Sequence, residues 1–431
     1  MGDSKNIFQY VLLGGFLILA VIAVIIFATT TNTGTEEAAP VVVWGTLNQA
    51  DMEYMIGEIN RVQGGFDHVI YQQVNAGSYY QVLVEAIAAG QGPDLFMIDQ
   101  KSLVSHWNKI LVLPWENFPE QLFKGTYIEG GEIFLGNSGV IALPFWIDPL
   151  VMYWNRDMFT NAGVSQVPKY WDEFFTIAPE ITRVDNELNV LKSTIAFGEV
   201  RNVYNSKEIL STLIMQSGSP IVSYTDRGLF AALTFNPGAA EIPAVSALRF
   251  FTEFSNPIKT VYSWNRSLPL SRDAFVAGDL AVYFGFASEA AVIARLNPNL
   301  NYDITLMPQV RGTQRRLTYA NIAGLAIPKA SRNPGGAFLA AQQLTSQQAQ
   351  AILAERMNLP PIRRDMLAQP QSQNYWDVVY DSALIARAWH DPAPAQTSQI
   401  FGKMVESVSS GAERVNSAVG QAQLELSNLL R

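Results

Sequence analysis

The sequence contains no cysteine and little histidine. Without cysteine, the chain has no disulfide, no thiol nucleophile, no thiolate metal site and no lipid attached through an N-terminal cysteine. The three histidines, His68, His106 and His390, lie far apart in the sequence, so a histidine metal site is not expected. We therefore expect neither a metal ion nor a cofactor.

Charged residues are also scarce, at 16% of the chain, and the 38 acidic residues outnumber the 29 basic ones, which gives a formal net charge of -9. With this balance no basic face can dominate the field of a phosphate backbone, so nucleic acid is not expected as a partner. Hydrophobic residues make up 48% of the chain, which is typical of a globular protein. A chain of 431 residues is too long for one core, so we expect two lobes or domains.

Sequence motifs of common enzymes are absent as well. The sequence has no Gly-x-Ser-x-Gly elbow, phosphate-binding loop, His-Glu-x-x-His helix or dinucleotide fingerprint. Two adjacent carboxylate pairs, Glu36-Glu37 and Asp172-Glu173, fall in a polar segment and at a predicted helix start, where they are solvated. The sequence therefore does not favour an enzyme.

A long apolar run near the amino terminus, Tyr10 to Ala28, has 19 residues and no charge. At 1.5 Å per residue this is long enough to cross the hydrocarbon core of a bilayer, about 30 Å thick. We interpret residues 1–9 as a short cytoplasmic segment, 10–28 as an uncleaved transmembrane anchor and 29–40 as a flexible tether. A cleaved signal peptide is the alternative, although the run is long for one and no clear small-x-small cleavage site ends it.

From Val41 onward the sequence alternates between strand and helix patterns. Strands are predicted at Val41 to Gly45, His68 to Val74 and Leu95 to Asp99, and helices at Asp51 to Arg61 and Tyr79 to Ala89. This alternation predicts a parallel α/β sheet with right-handed connections. Ligands of such sheets bind beyond the carboxyl ends of the strands, which directs attention to Trp44, Asp99 and Gln100.

The segment from Leu143 to Phe159 is the centre of the predicted organisation. Leu150 to Trp154 is apolar throughout, as expected of a strand in a parallel sheet that is buried on both faces. Pro144 and Pro149 fix φ and remove two backbone donors, so we expect an extended, irregular stretch before that strand. Such a segment is typical of a crossover between two lobes, with aromatic faces and a carboxylate exposed where the lobes meet.

The end of this segment, Tyr153-Trp154-Asn155-Arg156-Asp157-Met158-Phe159, resembles the crossover of extracellular solute-binding proteins of family 1, the sugar-binding type related to maltose-binding protein. Other segments resemble the same family in the order expected along the chain: Ala86 to Asp94, Pro168 to Phe174, Phe275 to Val282, Gly324 to Pro328 and Asn358 to Pro361. Tyr170 stands where threonine is commoner in the family. Ordered matches from about residue 41 to residue 361 are more specific than any one motif.

The resemblance implies an α/β, two-lobed periplasmic-binding-protein-like fold of type II. Each lobe is then a mostly parallel sheet flanked by helices, and a hinge joins the lobes. We place lobe one at 41–147 and 320–366, and lobe two at 148–319 and 367–431.

Eight residues are candidates for ligand binding, on the basis of the strand ends, the crossover and the resemblance: Trp44, Asp99, Trp146, Asp148, Asn202, Tyr204, Phe286 and Asn321. Indole and phenyl faces suit the apolar faces of sugar rings, and carboxylates accept strong hydrogen bonds from hydroxyl groups.

Each candidate also has a structural interpretation. A tryptophan is often a core residue, Asp148 is placed to cap a turn before Pro149, and Asp99 is placed to cap a following helix. Arg201, a possible cation of the site, has Glu199 as a possible surface partner. We assign Trp171 to packing, as in the family motif.

The function implied by the resemblance is capture of a solute, most simply a sugar or oligosaccharide, by a membrane-tethered extracytoplasmic protein that delivers it to the permease of an ABC importer. We expect a monomer at the outer face of the cell membrane. A ligand sensor or adhesin with the same fold, or a protein for a non-sugar solute, is the alternative. A glycan-cleaving enzyme would need two carboxylates across the cleft, and Asp99 with Asp148 is the pair to examine.

Overall fold

A computed structural model describes residues 39–313, 315–368 and 375–431. The strands are β1 Val41–Gly45, β2 Val69–Gln73, β3 Leu95–Asp99, β4 Leu113–Pro114, β5 Leu135–Gly136, β6 Gly139–Val140, β7 Leu143–Asn155, β8 Arg183–Val184, β9 Val190–Ile195, β10 Val222–Thr225, β11 Gly228–Ala231, β12 Leu280–Phe286, β13 Tyr302–Thr305, β14 Thr318–Ala326 and β15 Ala386–Arg387.

The helices are α1 Gln49–Gln63, α2 Tyr79–Ala88, α3 Leu103–His106, α4 Glu120–Thr126, α5 Arg156–Asn161, α6 Phe174–Ile181, α7 Ser206–Gln216, α8 Pro243–Glu253, α9 Ser271–Val276, α10 Glu289–Leu296, α11 Pro334–Leu344, α12 Gln347–Met357, α13 Arg364–Leu367, α14 Trp376–Leu384, α15 Pro394–Ser409 and α16 Val415–Leu429. Short 3-10 helices lie between these elements at Trp107–Lys109, Glu129–Phe134 and Trp171–Glu173.

The predicted anchor at 10–28, the residues before it and nearly all of the tether lie outside the described residues. Within the ranges that the structure describes, no helix is both long enough and apolar enough to traverse a bilayer.

One large sheet runs through both lobes, in the order β2-β1-β3-β14-β7-β12-β9-β8, with β13 also paired to β7 and β15 to β14. The first three strands are parallel, as predicted, and so are β9 and β12. However, β7 is antiparallel to β14, β12 and β13. The prediction of mostly parallel sheets was therefore wrong for the centre of the large sheet, where Leu150 to Trp154 lie. The physical reason is the path of the chain, which crosses to lobe two on β7 and returns on β14 in the opposite direction.

The two prolines do not interrupt the crossover strand as expected. Leu143–Asn155 is a single strand of 13 residues that contains both Pro144 and Pro149. Pro144 lies opposite Gly324, immediately beside a shift of register between β7 and β14. A proline is tolerated in a sheet where the ladder is irregular, since the missing N–H then costs no ladder bond.

Two hydrophobic cores lie on either side of the crossover strands. The first contains buried side chains from 41–147 and 320–367, and the second contains side chains from 150–307 and 389–426 together with Tyr319. Ala383 and Ala386 also belong to the first core, although the sequence prediction assigned everything after residue 366 to lobe two. The reason is that α14 packs against β7 and the turn at Glu129–Phe134, so the chain leaves the first core only after β15.

The junction between β7 and α5 explains two residues of the segment Tyr153 to Phe159. Asn155 ends the strand and caps the helix, since its side-chain oxygen accepts a hydrogen bond from the Met158 backbone N–H at 3.0 Å. Phe159, which is 1% exposed, then anchors the helix in the second core. A polar cap followed by a buried aromatic residue therefore turns the crossover into the first helix of lobe two.

Candidate ligand-binding site at the crossover strands

Strand register brings four of the eight predicted residues to one face of the sheet. Asp148 lies opposite Asn321, and Trp146 lies opposite Ala323, which is itself opposite Asp99. Paired residues share a face, and side chains two positions apart on a strand also do so. We call Asp99, Trp146, Asp148 and Asn321 the crossover face.

The reverse side of the same strands is part of the hydrophobic core. Ile98, Ile147 and Ile322 alternate with the residues of the crossover face and are each fully buried. Because this reverse side is packed against helices, only the crossover face is available to a ligand. Asp99, Trp146 and Asn321 are accordingly partly exposed.

Asp148 is the most deeply buried group of the crossover face. Its carboxylate accepts hydrogen bonds from the Ser288 backbone N–H at 3.0 Å and from the Ser288 hydroxyl at 2.6 Å. Burial raises the pKa of Asp148 to about 7, while the bonds from Ser288 act in the opposite direction. Asp148 thus fixes the residue before α10 in lobe two, rather than the turn before Pro149.

Asp99 does not cap the following helix, for which Ser102 is the N-cap residue, but it fixes the turn before that helix. Its carboxylate accepts a hydrogen bond from the Ser102 backbone N–H at 2.7 Å and another from the Tyr80 hydroxyl at 2.8 Å. The Tyr80 ring stacks on His106 at 4.6 Å, so the carboxylate is held in one orientation. A carboxylate with two occupied positions retains further lone pairs for ligand hydroxyl groups.

Two of the predicted tryptophans carry buried indole N–H groups that have no hydrogen-bond partner among the described residues. These are Nε1 of Trp44 and Nε1 of Trp146. Alternation along β1 and β3 places Trp44 on the opposite side of the sheet from Asp99, and Trp44 is only 8% exposed, within the first core. Trp146 is partly exposed and therefore the better placed of the two for stacking.

Asn202 was predicted to reach the ligand, but its amide makes three hydrogen bonds inside lobe two. It donates to the carbonyl oxygens of Asn265 and Leu268 at 2.9 and 3.0 Å and accepts from Trp264 Nε1 at 3.1 Å. The loop after β9 therefore folds onto its own lobe, and the structure does not bring Asn202 to the crossover face.

Tyr204 and Phe286 lie on the lobe-two side. Tyr204 stacks on the guanidinium of Arg272 at 4.6 Å, and Phe286 is 7% exposed and packs near Tyr319 at 6.5 Å. Arg272 in turn lies 3.7 Å from the Glu289 carboxylate. Phe286 is mainly a core residue, whereas Tyr204 remains partly exposed.

The alternative interpretation paired Arg201 with Glu199, and the structure shows different partners for both residues. The guanidinium of Arg201 forms an ion pair with Glu406 at 2.7 Å, and Arg266 pairs with Glu199 at 3.2 Å. Because Glu406 is 205 positions away, local sequence could not identify it.

Sequence reasoning missed an ion pair that joins the two lobes beside the crossover face. Lys101 Nζ lies 2.8 Å from Glu208 Oε1, and the same ammonium group lies 6.0 Å from the centre of the Tyr319 ring. Lys101 follows β3 directly after Gln100, so its position at a strand end was the signal that could have identified it. Glu208 had no comparable signal, since it lies in the first turn of an ordinary helix.

Trp171 and Trp389 are structural. Trp171 packs among aromatic rings, as predicted, and donates to Gln216 at 2.6 Å. Trp389 donates to Ser211 at 3.2 Å and stacks on Phe401.

A cavity of about 500 Å³ lies elsewhere, between α15 and α16 on lobe two, and contains none of the predicted site residues. It is a surface groove crossed by the Lys403–Glu425 ion pair at 3.4 Å. Convergent polar groups, rather than the size of a cavity, therefore select the crossover face as the candidate site.

Comparison with known proteins agrees with this architecture. Three curated binding proteins, two of Brucella abortus and one of Brucella suis, are each 31% identical over 111 residues, which is 25% of this chain and 26% of theirs. The match thus spans about a quarter of the length of those relatives.

Solved structures are similar over nearly the whole chain. A cyclo/maltodextrin-binding protein complexed with maltotetraose has a TM-score of 0.74 at 17% identity and covers 92% of this chain and 98% of its own. The sugar-binding protein MalE of Xanthomonas citri has a TM-score of 0.73 at 16% identity, with 91% and 97% covered. The two-lobed α/β fold of this chain is therefore the periplasmic-binding-protein-like fold.

The family profile described as bacterial extracellular solute-binding protein matches residues 47–351. This range includes β2 to β14 and all four residues of the crossover face. The chain belongs to the family of bacterial extracellular solute-binding proteins.

Proposed function

We propose that this protein captures a neutral sugar or oligosaccharide at the crossover face and delivers it to an ABC importer. The observation that carries the proposal is the convergence of Trp146, with its unpartnered indole N–H, and the oxygen-bearing side chains of Asp99 and Asn321 on one partly exposed face. An aromatic plane beside hydrogen-bonding groups suits a sugar, which presents apolar ring faces and many hydroxyl groups.

The charges near the face favour a neutral ligand over an anionic one. Lys101 is paired with Glu208, and Arg272 has Glu289 as a carboxylate neighbour. A phosphate-bearing ligand would have to displace these carboxylates, since anions are usually recognised by free arginine or lysine. The relatives in solved structures include proteins described as bound to maltotetraose and to acarbose, which supports a sugar here.

The membrane location is part of the same proposal. The apolar run Tyr10 to Ala28 would anchor the chain, and the polar residues 29–40 would let the folded part move near the outer face of the membrane. Retention of the full-length chain in the membrane fraction after an alkaline carbonate wash is expected. Release of a shortened chain into the soluble fraction would instead indicate a cleaved signal peptide.

Ligand capture is tested with the full-length chain in detergent micelles, by thermal shift against maltotetraose, mannobiose, glycerol phosphate and amino acids. A ligand at 100 times its Kd stabilises the native state by about 2.7 kcal/mol. We expect a shift with a neutral sugar that Trp146→Ala abolishes. Trp115→Ala is the matched control, since Trp115 is a partly exposed indole of the same lobe that bonds Asn137 at 3.3 Å, away from the site. A response to glycerol phosphate or amino acids alone would refute the neutral-sugar assignment.

A further inference from the structure

The two lobes contact each other through a short segment of lobe one, residues 101–107, that follows the strand end bearing Asp99. Its first residue, Lys101, makes the 2.8 Å ion pair with Glu208 of lobe two. The Lys101 side chain is 30% exposed and that of Glu208 is 14% exposed, so the pair is partly shielded from water. Shielded charges attract each other more strongly than charges at an open surface.

The neighbouring residue on α7 fixes Glu208 in place. Lys207 Nζ lies 2.5 Å from Asp391 Oδ2 and 2.6 Å from the Thr397 hydroxyl, and its side chain is 12% exposed. Asp391 belongs to the segment through which the chain passes from β15 to lobe two. Consecutive residues of α7 therefore bind the returning chain and lobe one, which gives Glu208 a rigid base.

The far end of the same segment makes aromatic contacts. The Trp107 ring lies 5.2 Å from Tyr224 of the β10–β11 hairpin and 5.9 Å from His390, and these two rings are 5.6 Å apart. The Ser105 hydroxyl also donates to the Pro392 carbonyl at 3.1 Å. Contacts of the chain with itself thus join the lobes at both ends of residues 101–107.

We propose that Lys101 and Glu208 are positioning residues for ligand capture. Their ion pair holds the two lobes in the contact described above, which we call the closed arrangement. The pair lies beside the crossover face, so it brings the lobe-two residues toward that face before a ligand binds. A protein in which only a fraction of molecules is closed binds with an affinity reduced by that fraction. This inference concerns the equilibrium between lobe arrangements and holds for any ligand class, so it stands or falls separately from the proposed function.

The sequence contains no cysteine, so spin labels can be attached only to cysteines that are introduced. This allows a direct test by double electron–electron resonance on the full-length chain in detergent micelles. Spin labels are attached to Gln121→Cys on α4 of lobe one and Gln399→Cys on α15 of lobe two, both at exposed positions. The distance distribution is recorded with no sugar added, in this background and in the further variants Lys101→Met and Glu208→Gln.

We expect one main distance in the labelled parent. Each single variant should shift the ratio of closed to open molecules about fivefold toward open, the upper end of the effect of a partly exposed ion pair. The double variant Lys101→Met/Glu208→Gln should open no further than either single variant, because the two single substitutions remove the same ion pair. Lys192→Met is the matched control, because Lys192 pairs with Asp279 at 2.6 Å within lobe two only, and it should leave the distribution unchanged.

Unchanged distributions in both single variants would overturn the inference. A double variant that opens by the sum of the two single effects would also overturn it, since Lys101 and Glu208 would then act independently. A Lys192→Met variant that opens to the same extent would show a general effect of lost charge and would overturn the assignment to Lys101 and Glu208.

Discussion

Replacing Asp148 by asparagine should change how the thermal stability of the protein depends on pH. Burial raises the pKa of this carboxyl group from 3.8 to about 7 in the folded protein. The folded protein therefore holds the proton more tightly than the unfolded chain does. The resulting stabilisation is complete below about pH 4 and is lost as the pH rises through about 7.

Between pH 5 and pH 8 the wild-type protein should lose roughly 3 kcal/mol of unfolding free energy through this group, by linkage between the two pKa values. Asparagine does not titrate, and its amide can still bond both groups of Ser288, because a hydroxyl accepts as well as donates. The variant should therefore lack this loss. For the 391 residues from Val41 to Arg431, the difference corresponds to about 4 °C in melting temperature.

The assay is differential scanning calorimetry of the wild type and Asp148→Asn at pH 5 and pH 8. All other titrating groups are common to both proteins, so the change in their difference reports Asp148 alone. Asp226→Asn, at an exposed position, is the control and should follow the wild type. If Asp148→Asn and the wild type lose stability in parallel over this range, the buried carboxyl does not hold a proton near neutral pH and the reasoning is refuted.

Three further experiments test the packing and the buried charges. Gly139→Ala should lower the melting temperature strongly, because a Cβ there would overlap the backbone of β4. Gly57 lies on α1 with open space around it, so Gly57→Ala should raise the free energy of unfolding by about 1 kcal/mol. Thermal unfolding of the two variants compares them. Between pH 7 and pH 5 the wild-type protein should lose about 2 kcal/mol of unfolding free energy through His390, because burial lowers the pKa of this imidazole to about 4 and the folded protein resists protonation. Calorimetry of His390→Phe should not show this loss. An unchanged pH dependence would contradict the explanation. Lys207→Met should lower the free energy of unfolding in urea by about 3–5 kcal/mol, because it leaves the Asp391 charge buried without its cationic partner. The double variant Lys207→Met/Asp391→Leu should recover most of that loss. No recovery would contradict the explanation.

The first part of the fold was predictable because its elements have clear periods. The stripe Met52, Met55, Ile56 and Ile59 predicted a helix, and those are the buried residues of α1. The direction of β7 was not predictable in the same way, because a strand covered on both faces is apolar whether its neighbours are parallel or antiparallel.

For the candidate site, a regular strand brings separately predicted residues together, and their binding role stays a prediction. Asp148 and Asn321 were identified separately, and the register of β7 and β14 then made them neighbours. The bonds of Asn202 within lobe two were not predictable, because a loop amide has several possible partners, which sequence does not rank. Lys101 and Glu208 are 107 positions apart, and their contact depends on how the lobes are placed, which local patterns do not encode.

The crossover strand supplies both cores, and this has a consequence for unfolding. Phe145 and Ile147 of β7 pack in the first core, whereas Leu150 and Val151 of the same strand pack in the second. If either lobe melts, the strand loses its place in the sheet, and the other core loses side chains that fill its centre. We therefore expect one calorimetric transition for the two lobes, so that damage to one lobe exposes the whole folded part to proteolysis.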